Sequence, residues 1–192
     1  MSDAVTSAED GLARCPWGAE PEVYREYHDT EWGRPLRGDD DALFERISLE
    51  AFQSGLSWLV ILRKREAFRK AFADFSIPAV AAYTDADAER LLTDAGIVRN
   101  RAKIAATIAN AKAARELDGG LGDLVWSFAP EPRPRPAAIA DVAAVTEESK
   151  ALAKALKKRG FKFVGPTTAY AMMQAIGMVD DHLADCHVPG RP

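Results

Sequence analysis

Cysteine and histidine are rare in this 192-residue chain, which has two of the former and three of the latter. Cys15 and His28 lie near the start, and His182 and Cys186 lie four positions apart near the finish. Residues i and i+4 share one face of a helix, and thiolate with imidazole is a donor set suited to tetrahedral zinc. The four residues therefore predict a zinc site that joins the two ends of the chain. Such a zinc would be structural, because four protein ligands leave no open position for a water.

The same residues have other interpretations. Two lone thiols can be small buried hydrophobic residues, and the histidines can be ordinary core or surface residues. His187, next to Cys186, is an obvious substitute ligand. The spacing between Cys15 and His28 is not diagnostic of zinc. Residue types and spacing alone do not choose between these interpretations.

A basic stretch near the C-terminus suggests a second kind of chemistry, which is phosphate binding. Residues 154–162 contain no acidic residue and carry five cations, Lys154, Lys157, Lys158, Arg159 and Lys162. Gly165 can form a tight turn and Pro166 suits the first position of a helix, whose free N–H groups would bind an anion. The charges alone would equally fit compensation of a helix dipole, but the helix, turn and helix together favour DNA binding.

Composition limits the class of protein. The hydrophobic fraction of 47%, the charged fraction of 28% and the net charge of −4 fit a globular chain of one domain or two small ones. Two cysteines indicate no disulfide framework, so we expect a cytoplasmic protein. The longest strongly apolar run, Trp58–Leu62, is too short to cross a membrane. We expect a monomer, with a disordered tail over residues 1–12 and no signal peptide.

Helical periodicity recurs along the chain while period-2 alternation is nearly absent, so the sequence predicts an all-α fold of about seven to ten helices. Residues suited to helix starts recur as well, at Asp39, Ser57, Pro78, Thr84, Asn100 and Thr146. Prolines in alternation make residues 130–136 a surface connection, either a spacer or a basic loop that contacts phosphate.

Several motifs together resemble the DNA-3-methyladenine glycosylase I family. The resemblance runs from Arg14 to the C-terminus and is carried by Arg14–Trp17, Tyr27–Gly33, Gly55–Trp58, Val125–Phe128, Leu156–Gly165 and Asp181–His182. It implies the helix-hairpin-helix DNA glycosylase fold, as a single unit of two helical lobes over residues 13–192 with the hairpin element at about 147–177. It also implies a structural zinc held by Cys15, His28, His182 and Cys186.

The resemblance also implies a pocket for a base that has left the DNA stack. Glu50 and Tyr27 would hydrogen-bond the base edge, Trp58 would stack on its face, and the wall would be shaped by Trp17, Tyr24 and Trp32. From the residues alone, these aromatic side chains would be interpreted as core. Glu50 is harder to explain in that way, because a carboxylate on an apolar helix face is costly without a partner.

DNA contacts follow from the same resemblance. Phe163, Val164 and Gly165 would form the hairpin that holds a phosphate of the duplex. Further candidates for contact with DNA are Thr167, Lys162, Lys158, Gln53 and Leu56. The expected partner is alkylated double-stranded DNA.

The implied reaction is hydrolysis of the N-glycosidic bond of 3-methyladenine, with the free base as product. A purine methylated at N3 is cationic in DNA and leaves as a neutral base, so a general acid is less necessary. Glu50 would mainly recognise the base, with a possible catalytic role. Residues 166–168 contain no lysine, which predicts a monofunctional enzyme without lyase activity. Asp180 stands where the family usually has asparagine. Its carboxylate either faces the sugar cation or only forms local contacts at a helix end, as a local tie.

Two other hypotheses remain at this stage. The chain could be a non-catalytic helix-hairpin-helix module that binds DNA, with a structural zinc and with its tryptophans as core. It could also be a Cys/His metal enzyme, which would require an open coordination site.

Overall fold

The computed structural model describes residues 4–190, and within them the chain is largely helical. A two-residue ladder joins β1 (Thr6–Ser7) to β2 (Ala13–Arg14). The α-helices are α1 (Pro16–Ala19), α2 (Glu22–Thr30), α3 (Asp40–Gln53), α4 (Trp58–Ala71), α5 (Ile77–Ala81), α6 (Asp85–Thr93), α7 (Arg101–Arg115), α8 (Gly120–Trp126), α9 (Glu147–Lys158) and α10 (Pro166–Ala175). Short 3-10 helices cover Ala73–Phe75 and Ile139–Asp141. The all-α prediction is confirmed in its coarser form, since the described residues are mostly helical but include the ladder of β1 and β2.

Side-chain caps explain why several helices begin where they do. Asp39 accepts a hydrogen bond from the backbone N–H of Ala42, 2.9 Å away, and so starts α3. Asn100 caps α7 in the same way through Lys103, at 3.1 Å. Thr84 and Asp87 form the reciprocal cap that the sequence predicts for α6. Each cap satisfies an N–H group that the helix itself leaves free.

The central helix α3 is buried over most of its length. Leu43, Phe44, Ile47 and Phe52 on this helix are each at most 1% exposed, and they belong to the main hydrophobic core. Phe52 contacts Phe68 of α4, with ring centroids 4.6 Å apart. A helix packed on several sides gives a rigid support for any polar side chain that it carries.

Both ends of the chain are fixed to the same region. The ladder between β1 and β2 lies partly within residues 1–12, so the predicted disordered tail is wrong for Thr6–Ser7; residues 1–3 lie outside the described part. Arg14 explains the order of this segment, because its guanidinium pairs with Asp10 at 2.7 Å and with Asp29 at 2.8 Å. The backbone N–H of His187 donates to the Ala13 carbonyl oxygen at 2.8 Å. The N-terminal segment is thereby held against the C-terminal one.

The proline-rich connection runs along the surface but is not a free spacer. Arg133 pairs with Asp181 and Arg135 pairs with Asp180, at 2.8 and 2.9 Å. These pairs attach the connection to the segment that follows α10. Among the described residues, no helix is both long and apolar enough to cross a membrane.

Candidate active site

A cavity of about 370 Å³ opens between the N-terminal helices, α3 and α10. Its walls bring together all six residues predicted to bind a base, which are Trp17, Tyr24, Tyr27, Trp32, Glu50 and Trp58. Gln53, predicted to contact DNA, lies on the same wall. A concave site with apolar walls and few polar groups is typical of a small-ligand pocket.

Contacts among the aromatic side chains fix the shape of this cavity. Trp17 packs edge-on against Tyr24 and Trp32, with ring centroids 5.9 and 4.9 Å apart. Tyr27 lies against Trp58 at 5.6 Å. The Tyr24 hydroxyl accepts a hydrogen bond from the backbone N–H of Leu59 at 2.8 Å, which ties α2 to the start of α4. Trp58 is the first residue of α4, so this bond also positions its indole.

Glu50 is the least expected side chain in this cavity. It is only 6% exposed, and no side chain within residues 4–190 donates a hydrogen bond to its carboxyl. Burial raises the pKa of Glu50 to about 8, while Arg46 acts in the opposite direction. Two polar groups beside it are also free of partners in the described structure. They are the Tyr27 hydroxyl, whose pKa burial raises, and the buried Trp58 indole N–H.

The cavity also contains residues that the sequence analysis missed. Ile139, Val142, Ala171, Gln174 and Asp181 complete its lining. Asp181 is 3% exposed and accepts hydrogen bonds from the Tyr170 hydroxyl, Gln174 and Arg133, at 2.6, 2.8 and 2.8 Å. The motif Asp181–His182 was the only sequence signal for this carboxylate. Its donors come from the preceding helix, α10, and from the proline-rich connection, and spacing does not reveal that the two meet at this residue.

Asp180, the other acidic residue considered for catalysis, does not line the cavity. Its carboxylate binds Arg135 at 2.9 Å and His182 Nδ1 at 3.0 Å. It also accepts from the backbone N–H of His182 at 3.3 Å. This geometry favours the local tie over a carboxylate that faces the sugar.

Three of the four predicted zinc ligands converge in a buried cluster. The donor atoms of Cys15, His28 and Cys186 all lie within 4.8 Å of one another. A hydrogen bond from Cys15 lowers the pKa of Cys186. Asp29 accepts from His28 Nδ1 at 2.8 Å and leaves Nε2 facing Cys186 Sγ at 3.6 Å. A carboxylate that orients a ligating imidazole in this way is a common second layer of metal sites.

His182 lies beside this cluster, but its ring nitrogens are not within 4.8 Å of all three donor atoms. Its ring centroid is 4.9 Å from that of His28, and its Nε2 is 3.5 Å from the His28 carbonyl oxygen. Gly33 has a positive φ of 75°, and a Cβ there would be 2.8 Å from the His182 ring. Only glycine at position 33 therefore allows the His182 ring to pack this closely against the backbone. His187, the substitute ligand, bonds Asp29 at 3.1 Å instead.

The predicted hairpin joins α9 to α10 and presents its tip to solvent. Phe163 is 44% exposed with a positive φ of 57°, whereas Val164 is buried. Gly165 caps α10 and is exposed, as are Lys158, Lys162 and Thr167. The buried Asn110 holds the turn by two hydrogen bonds to the backbone of Lys162, at 2.7 and 3.0 Å. Sequence reasoning missed Asn110, because its partner lies on a distant element.

Gln53 and Leu56 lie on the turn between α3 and α4. The Gln53 amide donates to the Leu56 carbonyl oxygen at 3.1 Å, and Leu56 is 38% exposed. The buried Lys103 donates to the carbonyl oxygens of Phe52 and Ser54 at 2.8 and 2.6 Å. It thereby satisfies carbonyl groups that the end of α3 leaves free. These hydrogen bonds fix the turn, and the turn exposes the apolar side chain of Leu56 to solvent.

Comparisons with known proteins agree with this geometry. The family model for methyladenine glycosylases matches residues 17–189. A DNA-3-methyladenine glycosylase of Haemophilus influenzae is 48% identical over 90% of this chain and 96% of the relative. DNA-3-methyladenine glycosylase 1 of Escherichia coli is 46% identical over 91% and 96%.

A solved structure is similar throughout. It is that of 3-methyladenine DNA glycosylase I from Staphylococcus aureus, described as the structural basis of its 3-methyladenine recognition. It superposes with a TM-score of 0.88 at 37% identity, covering 93% of this chain and 98% of its own. The family match, the identities and the shared fold together show that this chain belongs to the methyladenine glycosylase family.

Proposed function

We propose that this protein is a monofunctional DNA glycosylase that hydrolyses the N-glycosidic bond of 3-methyladenine in alkylated DNA. The observation that carries the proposal is one cavity in which Glu50, Tyr27 and Trp58 meet with three further aromatic residues. The relatives named DNA-3-methyladenine glycosylase support it, as does the Staphylococcus aureus structure of 3-methyladenine recognition.

The chemistry of the cavity fits a cationic purine swung out of the duplex. An electron-rich indole attracts a cation by about 1–2 kcal/mol in a desolvated site. Glu50 supplies a carboxyl that has no other partner in the described structure, and the Tyr27 hydroxyl is free to bond the base edge. A purine methylated at N3 leaves as a neutral base, so the site needs no acid to protonate it. Water completes the reaction at the sugar.

The cavity also argues against a module that only binds DNA. A core made of the same aromatic side chains would leave no space at their centre, and it would not bury a carboxyl without a hydrogen-bond partner. The chain offers no lysine at residues 166–168 for a lyase step, which supports a hydrolytic enzyme.

The DNA contacts belong to two exposed elements of the described structure. The turn at Phe163–Gly165, with Lys158, Lys162 and Thr167 around it, has free N–H groups at the start of α10 for a phosphate. Gln53 lines the cavity and Leu56 is exposed on the adjoining turn, where they can contact the strand from which the base has been swung out.

A structural zinc ion is the other part of this proposal. Cys15, His28 and Cys186 present two sulfurs and one nitrogen in a buried cluster, and the adjacent His182 supplies the fourth donor. This donor set fits zinc. When bound, the ion would join the N- and C-terminal segments and would supply no chemistry to the base, since none of its four ligands lines the cavity.

The test is base release from methylated duplex DNA. The purified protein is incubated with DNA that contains 3-methyladenine, the freed bases are identified by chromatography, and strand scission is measured in parallel. We expect free 3-methyladenine without scission, and a large loss of release in Glu50→Gln. Glu89→Gln, at an exposed site on α6, is the matched control. Duplex binding without any base release would support the non-catalytic module instead.

A further inference from the structure

Arg46 is a largely buried cation that the fold alone does not explain. It stands on α3 one turn before Glu50, with 15% of its side-chain surface exposed. Its Nη2 donates to Glu31 Oε2 at 2.7 Å, whereas its Nη1 is buried and has no hydrogen-bond partner among residues 4–190. A buried guanidinium nitrogen without an acceptor is destabilising. A residue that costs stability in this way is expected to contribute to function.

Its surroundings point to the base cavity. Residues i and i+4 share a helix face, so Arg46 and Glu50 are neighbours on α3. The Arg46 guanidinium carbon is 5.9 Å from the ring centroid of Tyr27, which also lines the cavity. Arg46 itself does not line it, and within the described residues it forms no ion pair with Glu50. It therefore acts on Glu50 through its charge rather than through a hydrogen bond.

The other charges nearby leave that positive charge only partly compensated. Glu31 accepts hydrogen bonds from both Arg46 and Arg65, so one carboxylate balances two guanidinium groups. On the α10 side, Asp181 faces the same cavity but is paired with Arg133. Tyr27 contributes a neutral phenol. Glu45, whose charge also acts on Arg46, is itself paired with Arg69 at 2.9 Å. Arg46 thus shares its one hydrogen-bonded carboxylate, Glu31, with a second cation.

We propose that Arg46 is a positioning residue that makes ionisation of the buried Glu50 carboxyl less costly, and so favours its pairing with a cationic base. The proposal rests on the function proposed above. A neutral carboxyl would lose its attraction to a cationic purine, whereas a carboxylate opposite that purine keeps it. Burial raises the pKa of Glu50, and Arg46 is the group that opposes this rise.

The experiment is a pH profile of kcat/KM for 3-methyladenine release, from pH 6 to pH 10, for the wild type and Arg46→Met. The kcat/KM profile reports ionisations of the free enzyme. We expect the midpoint of the acid limb to rise by about 1 pH unit in Arg46→Met, because an opposite charge at this range shifts a carboxyl by about that much. At pH 7 the variant would be about tenfold slower, and above both midpoints it would match the wild type.

Three further variants separate charge from structure. Arg46→Lys restores a cation and should bring the midpoint back towards that of the wild type. Arg65→Met removes the second cation from Glu31 but not the neighbour of Glu50, so its midpoint should rise by much less than that of Arg46→Met. Arg46→Gln replaces the methionine variant if the latter does not fold, as judged by circular dichroism.

Direct titration of the Glu50 carboxyl by carbon-13 NMR, assigned with Glu50→Gln, provides a readout that needs no activity. An unchanged carboxyl midpoint in Arg46→Met would overturn the role of Arg46. Absence of base release by the wild type would overturn the proposed function, while the NMR titration would still decide the role of Arg46.

Discussion

Replacing Glu50 with glutamine should stabilise the protein increasingly as the pH rises. The side chain is 6% exposed, and burial raises its pKa from 4.5 to about 8. The folded protein therefore holds this proton more tightly than the unfolded chain. The stability that this protonated carboxyl contributes is fully present below pH 4.5 and is lost as the pH rises through about 8. The loss occurs because the unfolded chain ionises this group at a lower pH than the folded protein does. Glutamine has a similar shape and does not titrate.

The size of the effect follows from the pKa. At 1.36 kcal/mol per pH unit, the full rise corresponds to about 5 kcal/mol, of which about 3 kcal/mol falls between pH 5 and pH 8. Urea unfolding of the wild type and Glu50→Gln at both pH values measures this difference directly. Other titrating groups are common to both proteins and cancel.

The control is Glu89→Gln, because Glu89 is exposed and its pKa is lowered by Arg101. Its difference from the wild type should not change between pH 5 and pH 8. If the difference between Glu50→Gln and the wild type were also constant over this interval, the Glu50 carboxyl would not be held in a desolvated cavity, and the reasoning would fail.

Three other predictions concern the remaining parts of the site. Cys186→Ala should lose bound zinc and melt at a lower temperature, while each folded molecule keeps its base release. Metal analysis and thermal melts measure these changes. Full zinc content in the variant would contradict the prediction. Trp58→Leu should lower kcat/KM on methylated DNA about tenfold by removing the indole face, with binding to undamaged duplex unchanged; equal loss of both would assign Trp58 to general packing. Asp180→Asn should release base at the wild-type rate, because its carboxylate is tied to Arg135 and His182; a large loss in single-turnover assays would restore its catalytic role.

Local signals in the sequence predicted much of the helical framework. Asp39, Thr84 and Asn100 are side-chain caps, and the chemistry of a cap involves only its next few residues. The base cavity was predicted through the family resemblance, since the residue types alone were also compatible with a core. The structure places Glu50 and the five aromatic residues around one space, which spacing could not establish.

What the sequence could not predict depends on contacts between distant elements. Arg133 and Asn110 act on partners far along the chain, and neither belongs to a recognisable motif. The order of Thr6–Ser7 also depends on such a contact, because Arg14 fixes that segment only once Asp29 is in place. Asp180 and Asp181 are adjacent in sequence but face different surroundings, and only the fold separates them.

The meeting of the two chain ends at the Cys/His cluster has a consequence during synthesis. Cys15 emerges from the ribosome long before its partners at residues 182 and 186. Until then only His28 of the cluster is available to its thiol, which is open to oxidants that the finished fold excludes. The N-terminal segment therefore depends on the segment around residues 182–187, so a nascent protein halted before residue 182 would lack the contacts that bury the Cys15 sulfur.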